Sequence, residues 1–265
     1  MPTQGVSKNQ YQNKIVAFLD ILGFRQKVFQ DTPIAIKTIK QIDEDISHVI
    51  EMVKQYGPTS ISIKLFSDCF CISCDSSELD LLITELSFLQ LFLSAHNIFV
   101  RGAISQGRHF ENEHIIFSEG LVNAYELQNA DRFPRIKIDK ALVERMKEDT
   151  LSEYLIVAPD GVCFSDYLQA LTWEGMDAIK DDLFKDHKKA ITDEVERNRG
   201  NYNVIEKYKW LAEYHNTKFY QLYDLDDYYE DEQKELLNEM CISSDIFPSF
   251  KIGALNFSKI NPNSA

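Results

Sequence analysis

The sequence is poor in glycine, proline and cysteine, with ten, seven and five of these residues in 265. No Gly/Ser-rich linker divides the chain, and neither a P-loop nor a G-x-G-x-x-G motif is present, which excludes the two commonest nucleotide-binding loops. No apolar run approaches the roughly 18 residues that span a bilayer, and the polar segment Met1–Asn13 has no signal-peptide core. We therefore expect a cytoplasmic protein without membrane insertion.

Positive charge is also scarce. The 28 Lys and Arg residues are outnumbered by 42 Asp and Glu, which gives a formal net charge of −14. A surface this negative is a poor partner for nucleic acid, and it suits a soluble enzyme that binds small anions through a few local cations and metals. Because 44% of the residues are apolar and 12% aromatic, the chain can form a sizeable core.

The five cysteines are an odd number in a chain without a secretion signal, so we expect reduced thiols. Cys69, Cys71 and Cys74 are spaced closely enough to suggest a metal knuckle. No second Cys or His pair follows at ligand spacing, and the run alternates like a strand. Small buried side chains are therefore the favoured interpretation over zinc ligands.

The first half of the chain alternates strand and helix patterns in the order β-α-β-β-α-β-α-β, which predicts an α+β sandwich with helices on one sheet face. Its predicted elements are strand 14–19, helix 33–56, a hairpin over 60–73, helix 79–96, strand 98–105, helix 120–130, strand 135–138 and helix 140–147. The second half predicts a hairpin over 154–168 and two helices, near 176–195 and 204–220. The acidic stretch 224–239 is interpreted as a solvated surface or loop.

Two acids stand at the ends of predicted strands. Asp20 closes an apolar strand before Gly23, and Asp68 lies at the tip of the hairpin. If these strands are neighbours, the two carboxylates converge, and their repulsion favours a divalent cation such as Mg²⁺ or Mn²⁺ between them. The alternatives are a helix N-cap for Asp20 and an ordinary turn residue for Asp68.

Four segments, in order, resemble motifs of class III nucleotidyl cyclases over roughly residues 14–146. Residues 17–24, Ala-Phe-Leu-Asp-Ile-Leu-Gly-Phe, resemble the first metal motif, and residues 63–68, Ile-Lys-Leu-Phe-Ser-Asp, resemble the second, with Ser67 in place of a glycine. Residues 100–107 resemble a later strand of that domain, and residues 120–124 the start of its catalytic helix. The resemblance implies a ferredoxin-like cyclase domain, an antiparallel-rich sheet with helices on its faces.

A narrower resemblance is to the pyrimidine cyclases of Pycsar antiphage defence. It rests on residues 120–127 and 133–136, on Phe-Ser-Asp in place of Phe-Gly-Asp, and on residues 159–161 and 209–216. It implies cyclic CMP or cyclic UMP as a product that activates a separate effector protein. A purine cyclase, and a catalytically silent module that binds a nucleotide or dimerises, remain alternatives.

The class III resemblance implies a metal site and a homodimer with sites at its interface. Asp20 and Asp68, with the Ile21 carbonyl, would hold two Mg²⁺ or Mn²⁺ ions. The backbone N–H groups around Gly23 and Phe24, at a helix start, suit phosphate oxygens. The domain implied is 14–170, with 171–265 as a helical C-terminal extension packed on it.

Two cationic side chains are further candidates for substrate binding. Arg25 follows the predicted phosphate-binding turn, and a solvated helix cation is an equal alternative. Lys64 matches the position that selects the base in class III cyclases, although its strand also allows a solvent-facing lysine. As an obligate donor, Lys64 would favour a carbonyl or ring-nitrogen acceptor on the base, which leaves the base open.

The predicted third helix departs from the family pattern. Class III cyclases usually carry an Asn followed four residues later by a transition-state Arg, but here Asn123 is followed by Leu127. The replacement charge could come from Arg132, Arg135 or Arg101, and the preferred candidate is Arg135, at the entry to the next strand. The histidines show no metal spacing and are interpreted as structural.

Overall fold

A computed structural model of the chain describes residues 11–29, 31–56, 59–146, 153–225 and 229–247. These residues form an eight-stranded sheet with the order β2-β3-β1-β4-β6-β8-β7, and β5 pairs with the end of β4. All pairs are antiparallel except β4 with β6. The strands are β1 (Gln12–Ile21), β2 (Ser62–Phe66), β3 (Cys69–Asp75), β4 (Val100–Glu111), β5 (Ile116–Ser118), β6 (Ile136–Ile138), β7 (Leu155–Val157) and β8 (Cys163–Ser165).

Helices flank this sheet. They are α1 (Phe24–Val28), α2 (Thr32–Tyr56), α3 (Leu79–Ala95), α4 (Glu119–Asn129), α5 (Lys140–Val143), α6 (Lys180–Arg197), α7 (Tyr202–Leu222) and α8 (Glu230–Met240). The order β1-α2-β2-β3-α3-β4 in sequence, with β2-β3-β1-β4 in space, is the ferredoxin-like arrangement. The predicted α+β class is confirmed. A helix start at Gly23 and Phe24 was predicted and corresponds to the short α1, whereas β5 was not predicted.

Side chains of the central strand β1 alternate between two faces of the sheet. Ile15, Ala17 and Leu19 are buried in the main core, into which α3 packs. Phe18 points the other way and packs with Ala103 of β4 and Ala124 of α4. Helices therefore cover both faces, and the expectation that they lie on one face is wrong for α4.

Two glycines allow α4 to lie directly on the sheet. A Cβ added at Gly107 of β4 would be 2.5 Å from the backbone nitrogen of Gly120 in α4. A Cβ at Gly120 would in turn be 2.8 Å from a methyl group of Val16. This close approach holds α4 over β1 and β4. Phe66 on β2, at the end of the strand order, remains about half exposed.

The second half of the chain shares the core of the first. The predicted hairpin is present as β7 and β8, with Gly161 in its turn, and the structure shows that it continues the sheet. The rings of Trp210 and Tyr214 on α7 lie 5.4 and 5.9 Å from that of Phe164 on β8. At the predicted boundary between 14–170 and 171–265, the secondary structure changes from strands to helices. That it is also a domain boundary stays a prediction.

The acidic stretch after α7 is more ordered than predicted. Residues 230–240 form α8, and the three acids of its first turn, Glu230, Asp231 and Glu232, lie at the positive end of the helix dipole. Met240 at its end is buried. The loop interpretation was wrong for this part. Among the described residues, no helix combines the length and apolarity needed to cross a bilayer.

Candidate active site

The structure brings the two predicted metal acids together. Asp20 lies near the end of β1, directly opposite Cys69 on β3, and Asp68 lies in the turn that precedes Cys69. The Ile21 amide donates a hydrogen bond of 3.0 Å to the Asp68 carbonyl, which fastens this turn to β1. One carboxylate oxygen of each acid and the Cys69 Sγ all lie within 4.8 Å of one another.

Arg101 is the counter-ion of Asp20. It lies opposite Asp20 on β4, and its Nη2 and Nε are 2.7 and 2.9 Å from the Asp20 Oδ2. Burial raises the pKa of the Asp20 carboxyl, Arg101 lowers it, and the nearby Asp68 raises it again, with a net increase. A metal ion that binds Asp20 through this oxygen must therefore compete with the guanidinium.

Cys69 adds a thiol to the two acids. Burial, together with the negative charges of Asp68 and Asp20, raises the pKa of this thiol to about 12. Cys71 and Cys74 of the same strand are free and buried, as the sequence interpretation favoured over a zinc knuckle. Cys69 itself is only partly buried, and sequence reasoning did not connect it with the acids although it directly follows Asp68.

The donor set fits a hard divalent cation. Two half-buried carboxylates that face each other repel, and oxygen ligands suit Mg²⁺ and Mn²⁺. Asp20 and Asp68 are the side chains that would hold such an ion, and the backbone of Ile21 lies between them. The Cys69 thiol is a softer donor beside the same position.

The predicted phosphate-binding turn directly follows β1. Gly23 has a φ of +71°, in the region that favours glycine, and its carbonyl accepts hydrogen bonds from the Gln26 and Lys27 amides. It is the N-cap of α1, and Phe24 packs partly buried against the core. Arg25 is exposed on α1, where it is available to a ligand or to solvent.

Lys64 lies on the same sheet face as Asp20. It pairs with Cys71, which pairs in turn with Phe18, two residues before Asp20 on β1. Its side chain is half-buried rather than fully exposed, and its charge contributes to a lowered pKa of the Glu111 carboxyl, although His109 is the larger cause. This placement is compatible with a ligand on the uncovered part of that face.

The structure does not bring Arg135 to the acids. Arg135 is buried, with its Nε 2.7 Å from Asp131 and its Nη2 2.6 Å from Asp160, and it lies over the ring of Trp210. The two carboxylates balance its positive charge, and the Trp210 ring packs against its guanidinium. Asn123 is exposed on α4. The arginine at the acids is Arg101, the less favoured candidate from the sequence.

One further cation near the acids was missed. Lys207, on α7, is half-buried, and burial lowers the pKa of its ammonium group. The charge of Arg101 lowers this pKa further and that of Asp20 raises it, which places Lys207 within electrostatic reach of both. Local sequence patterns could not have shown this, because Lys207 follows Asp20 by 187 residues.

No protein-family model matches the sequence, and no curated protein sequence is similar to it. Among solved structures, a bacterial light-regulated adenylyl cyclase is similar at 14% identity and a TM-score of 0.43, over 66% of this chain and 58% of that one. The guanylyl cyclase Cya2 is similar at 11% identity and a TM-score of 0.41, over 58% of this chain and 91% of that one. A class III adenylyl cyclase-like ATP-binding protein from Pseudomonas aeruginosa is similar at 12% identity and a TM-score of 0.38, over 61% of this chain and 40% of that one. Identities and scores this low leave function to be argued from the site itself.

Proposed function

We propose that this protein is a metal-dependent nucleotidyl cyclase, which converts a nucleoside triphosphate to a 3′,5′-cyclic mononucleotide and pyrophosphate. The observation that carries the proposal is the convergence of Asp20 and Asp68 at one edge of a ferredoxin-like sheet. These acids are the ones that the class III motifs single out. The resemblance to Pycsar enzymes favours cyclic CMP or cyclic UMP as the product, as a defence signal read by a separate effector.

The proposed metal ligands are Asp20, Asp68 and the Ile21 carbonyl. Two Mg²⁺ or Mn²⁺ ions bound there would lower the pKa of the substrate 3′-hydroxyl and neutralise the triphosphate. The protein's own part is to fix the two carboxylates. The Ile21 amide fixes Asp68 by a hydrogen bond to the turn that carries it. The strand register fixes Asp20, because it pairs this residue with Cys69 on β3 and with Arg101 on β4.

Substrate-binding roles follow from position. The backbone N–H groups of Gly23 and Phe24 directly follow β1 and suit phosphate oxygens, and the exposed Arg25 can add charge there. Lys64 shares the sheet face of the acids, where its ammonium group would donate to an acceptor on the base. Asn123 is exposed on α4, so a substrate would contact its side chain from the solvent side of that helix.

A homodimer through the uncovered part of this sheet face completes the proposal. Phe66 on β2 pairs with Cys69, which places it on the face of Asp20, and it is about half exposed. Val122 and Tyr125 on α4 are exposed to a similar extent, and the ring of Tyr125 lies 5.4 Å from that of Phe18. A second copy that covered these residues would bury apolar surface beside the acids.

A catalytically silent module is the second candidate. It is favoured by one observation, namely that Arg135 is committed to Asp131 and Asp160 while α4 carries no arginine. A silent module has no use for two converging acids, however, because Arg101 balances only one of the two charges. If the protein is a cyclase while Arg135 stays paired with these acids, a cation other than Arg135 must stabilise the transition state.

Product analysis tests the proposal. The protein is incubated with Mn²⁺ and ATP, GTP, CTP or UTP separately, beside Asp68→Asn and the control Asp75→Asn, at the far end of the strand that follows Asp68. We expect one cyclic mononucleotide, lost in Asp68→Asn and retained in the control. A product from CTP or UTP would support the pyrimidine assignment, and one from ATP or GTP would replace it. Mn²⁺ binding without any product would favour the silent module.

A further inference from the structure

A cavity of about 280 Å³ lies between the start of α3 and the end of α5, away from the two converging acids. Ile15 of β1 and Gln106 of β4, which are paired in the sheet, both line it. Ile15 is buried on the main-core face of β1, and it precedes Asp20 by roughly 17 Å along the strand. The cavity is therefore separate from the site at Asp20.

The lining of this cavity is amphipathic. Its apolar part comes from three elements, through Ile15, Leu79 of α3 and Leu142 of α5. On its polar part, the Gln106 Nε2 donates a hydrogen bond of 2.6 Å to the Ser76 Oγ, which ties β4 to the turn before α3. A cavity with an apolar wall and a few fixed polar groups is typical of a small-molecule site.

Asp80 contributes the negative charge of the lining. It lies in the first turn of α3, and its Oδ1 is buried and accepts no hydrogen bond from the described residues. The neighbouring acids are bonded, Asp75 to the Lys14 ammonium and Glu78 to the Thr59 amide at 2.7 Å. Burial alone raises the pKa of the Asp80 carboxyl. A carboxylate in this position needs a donor that the described part of the chain does not supply.

Arg145, which follows α5, contributes the positive charge. Its Nε donates a hydrogen bond of 2.9 Å to the Ala141 carbonyl one turn earlier. Its guanidinium is exposed and forms no ion pair with a described carboxylate, whereas Arg132, for example, is paired with Glu206. Asp80 and Arg145 thus line one cavity without bonding to each other. Two opposite charges held apart in this way are complementary to a ligand that carries both.

We propose that this cavity binds a small zwitterion with an apolar body, of the class of a free apolar amino acid. The ammonium group of the ligand would supply the donor that the Asp80 carboxylate lacks. Its carboxylate would accept two parallel hydrogen bonds from the Arg145 guanidinium. Leu79 and Leu142 would contact the apolar side chain. This site goes beyond the proposed function and does not depend on it.

The first test is calorimetry of the full-length protein with L-leucine, without nucleotide or metal. Two analogues of similar shape each lack one charge: isocaproate has no ammonium group, and isopentylamine has no carboxylate. We expect leucine to bind with a Kd below about 1 mM. Each analogue should bind at least about tenfold more weakly, because one charge-assisted contact is lost.

The second test uses variants of the two charged residues. Asp80→Asn and Arg145→Gln should each weaken leucine binding by about tenfold or more. The matched controls are Asp182→Asn, which removes an acid from the first turn of α6, and Lys140→Gln, which removes an exposed cation from α5. Both controls should change the affinity by less than about twofold. Thermal unfolding of every variant separates loss of binding from loss of folding.

Three results would overturn the inference. They are no binding of leucine to the folded wild type, an analogue that binds as tightly as leucine, and unchanged affinity in Arg145→Gln. If Asp80→Asn does not fold, isocaproate and Arg145→Gln still decide the question. Leucine binding that persists in Asp68→Asn would support a site separate from the two acids. Leucine binding without any cyclic product would support this inference and count against the cyclase alone.

Discussion

Asp20 and Arg101 lie directly opposite each other on neighbouring strands, and the Arg101 Nη2 is 2.7 Å from the Asp20 Oδ2. The arginine neutralises one of two converging acids, so the site is stable before any cation binds. It also leaves Asp68 as the acid that is free of this guanidinium. Asp68 is therefore the first contact that we expect for an incoming metal ion.

The thiol of Cys69 should widen the range of metals that the site accepts. Cd²⁺ is thiophilic, whereas Mn²⁺ prefers oxygen. We expect Cys69→Ser to weaken Cd²⁺ binding about tenfold or more and to leave Mn²⁺ binding within about twofold. The measurement is the ultraviolet thiolate-to-Cd²⁺ absorption together with competitive titration. Absence of this absorption in the wild type would show that Cys69 is not a ligand.

Arg135 should be important for stability. Replacement by Met leaves the Asp131 carboxylate buried without its guanidinium, and loss of one partner of a buried ion pair lowers the free energy of unfolding by about 3–5 kcal/mol. Arg132→Met removes an exposed pair with Glu206 and should lower it by no more than about 1 kcal/mol. Urea unfolding of both variants checks this. Unchanged stability in Arg135→Met with a collapse in kcat would support the predicted catalytic role of Arg135.

The approach of α4 to the sheet predicts a coupled pair of substitutions. Gly120→Ala places a methyl group against Val16 and should lower the free energy of unfolding by about 1–3 kcal/mol. In a Val16→Ala background the 2.8 Å contact is removed and only contacts of 3.2 Å to the Gly107 nitrogen and the residue 16 Cβ remain, so the same change should be less harmful by about 1 kcal/mol. A double-mutant cycle from denaturant unfolding measures this coupling. Strictly additive effects would mean that α4 shifts instead of clashing.

A buried chain of hydrogen bonds joins Tyr167, His187 and His215. The His215 Nε2 is 2.8 Å from the Met240 carbonyl, which can only accept, so this nitrogen carries the proton. The His187 Nδ1 then donates to the His215 Nδ1 at 2.9 Å, and the Tyr167 hydroxyl donates to the His187 Nε2 at 2.7 Å. Both rings are neutral in this arrangement. Burial lowers the pKa of His215 to about 3 and that of His187 well below its usual value.

These depressed pKa values predict a loss of stability in acid. Below about pH 6.5 the unfolded chain binds protons that the folded protein excludes, so each histidine lowers the free energy of unfolding by about 1.4 kcal/mol per pH unit. Stability from this source is full above pH 6.5. Glu85 acts in the opposite sense, since burial raises the pKa of its carboxyl to about 7. The comparison of wild type with His187→Gln by urea unfolding at pH 7.5 and 5.5 isolates the histidine effect, and identical slopes would refute it.

The fold could be predicted from sequence because its signals are local. Alternation in residues 60–73 and helical spacing in 79–96 each depend on neighbours in the chain, and the structure has β2, β3 and α3 there. Asp20 and Asp68 could be predicted for the same reason, as each ends a strand or a turn. The ion pair of Asp20 with Arg101 could not be predicted, because it depends on the register of β1 with β4. The position of α4 on the second face also depends on how closely Gly107 and Gly120 pack.

The core shared by the two halves of the chain has a consequence for building chimaeras, which the buried Asp166 carboxylate illustrates. It accepts hydrogen bonds from the Tyr214 hydroxyl at 2.6 Å and from the Lys218 ammonium at 2.8 Å. Asp166 directly follows β8 and both donors lie on α7, so these bonds join the two halves of the chain. A fusion that transplanted residues 14–170 alone would inherit this acid in an apolar surface with both donors missing. The halves are thus not interchangeable units, and a fusion should keep β8 and α7 together.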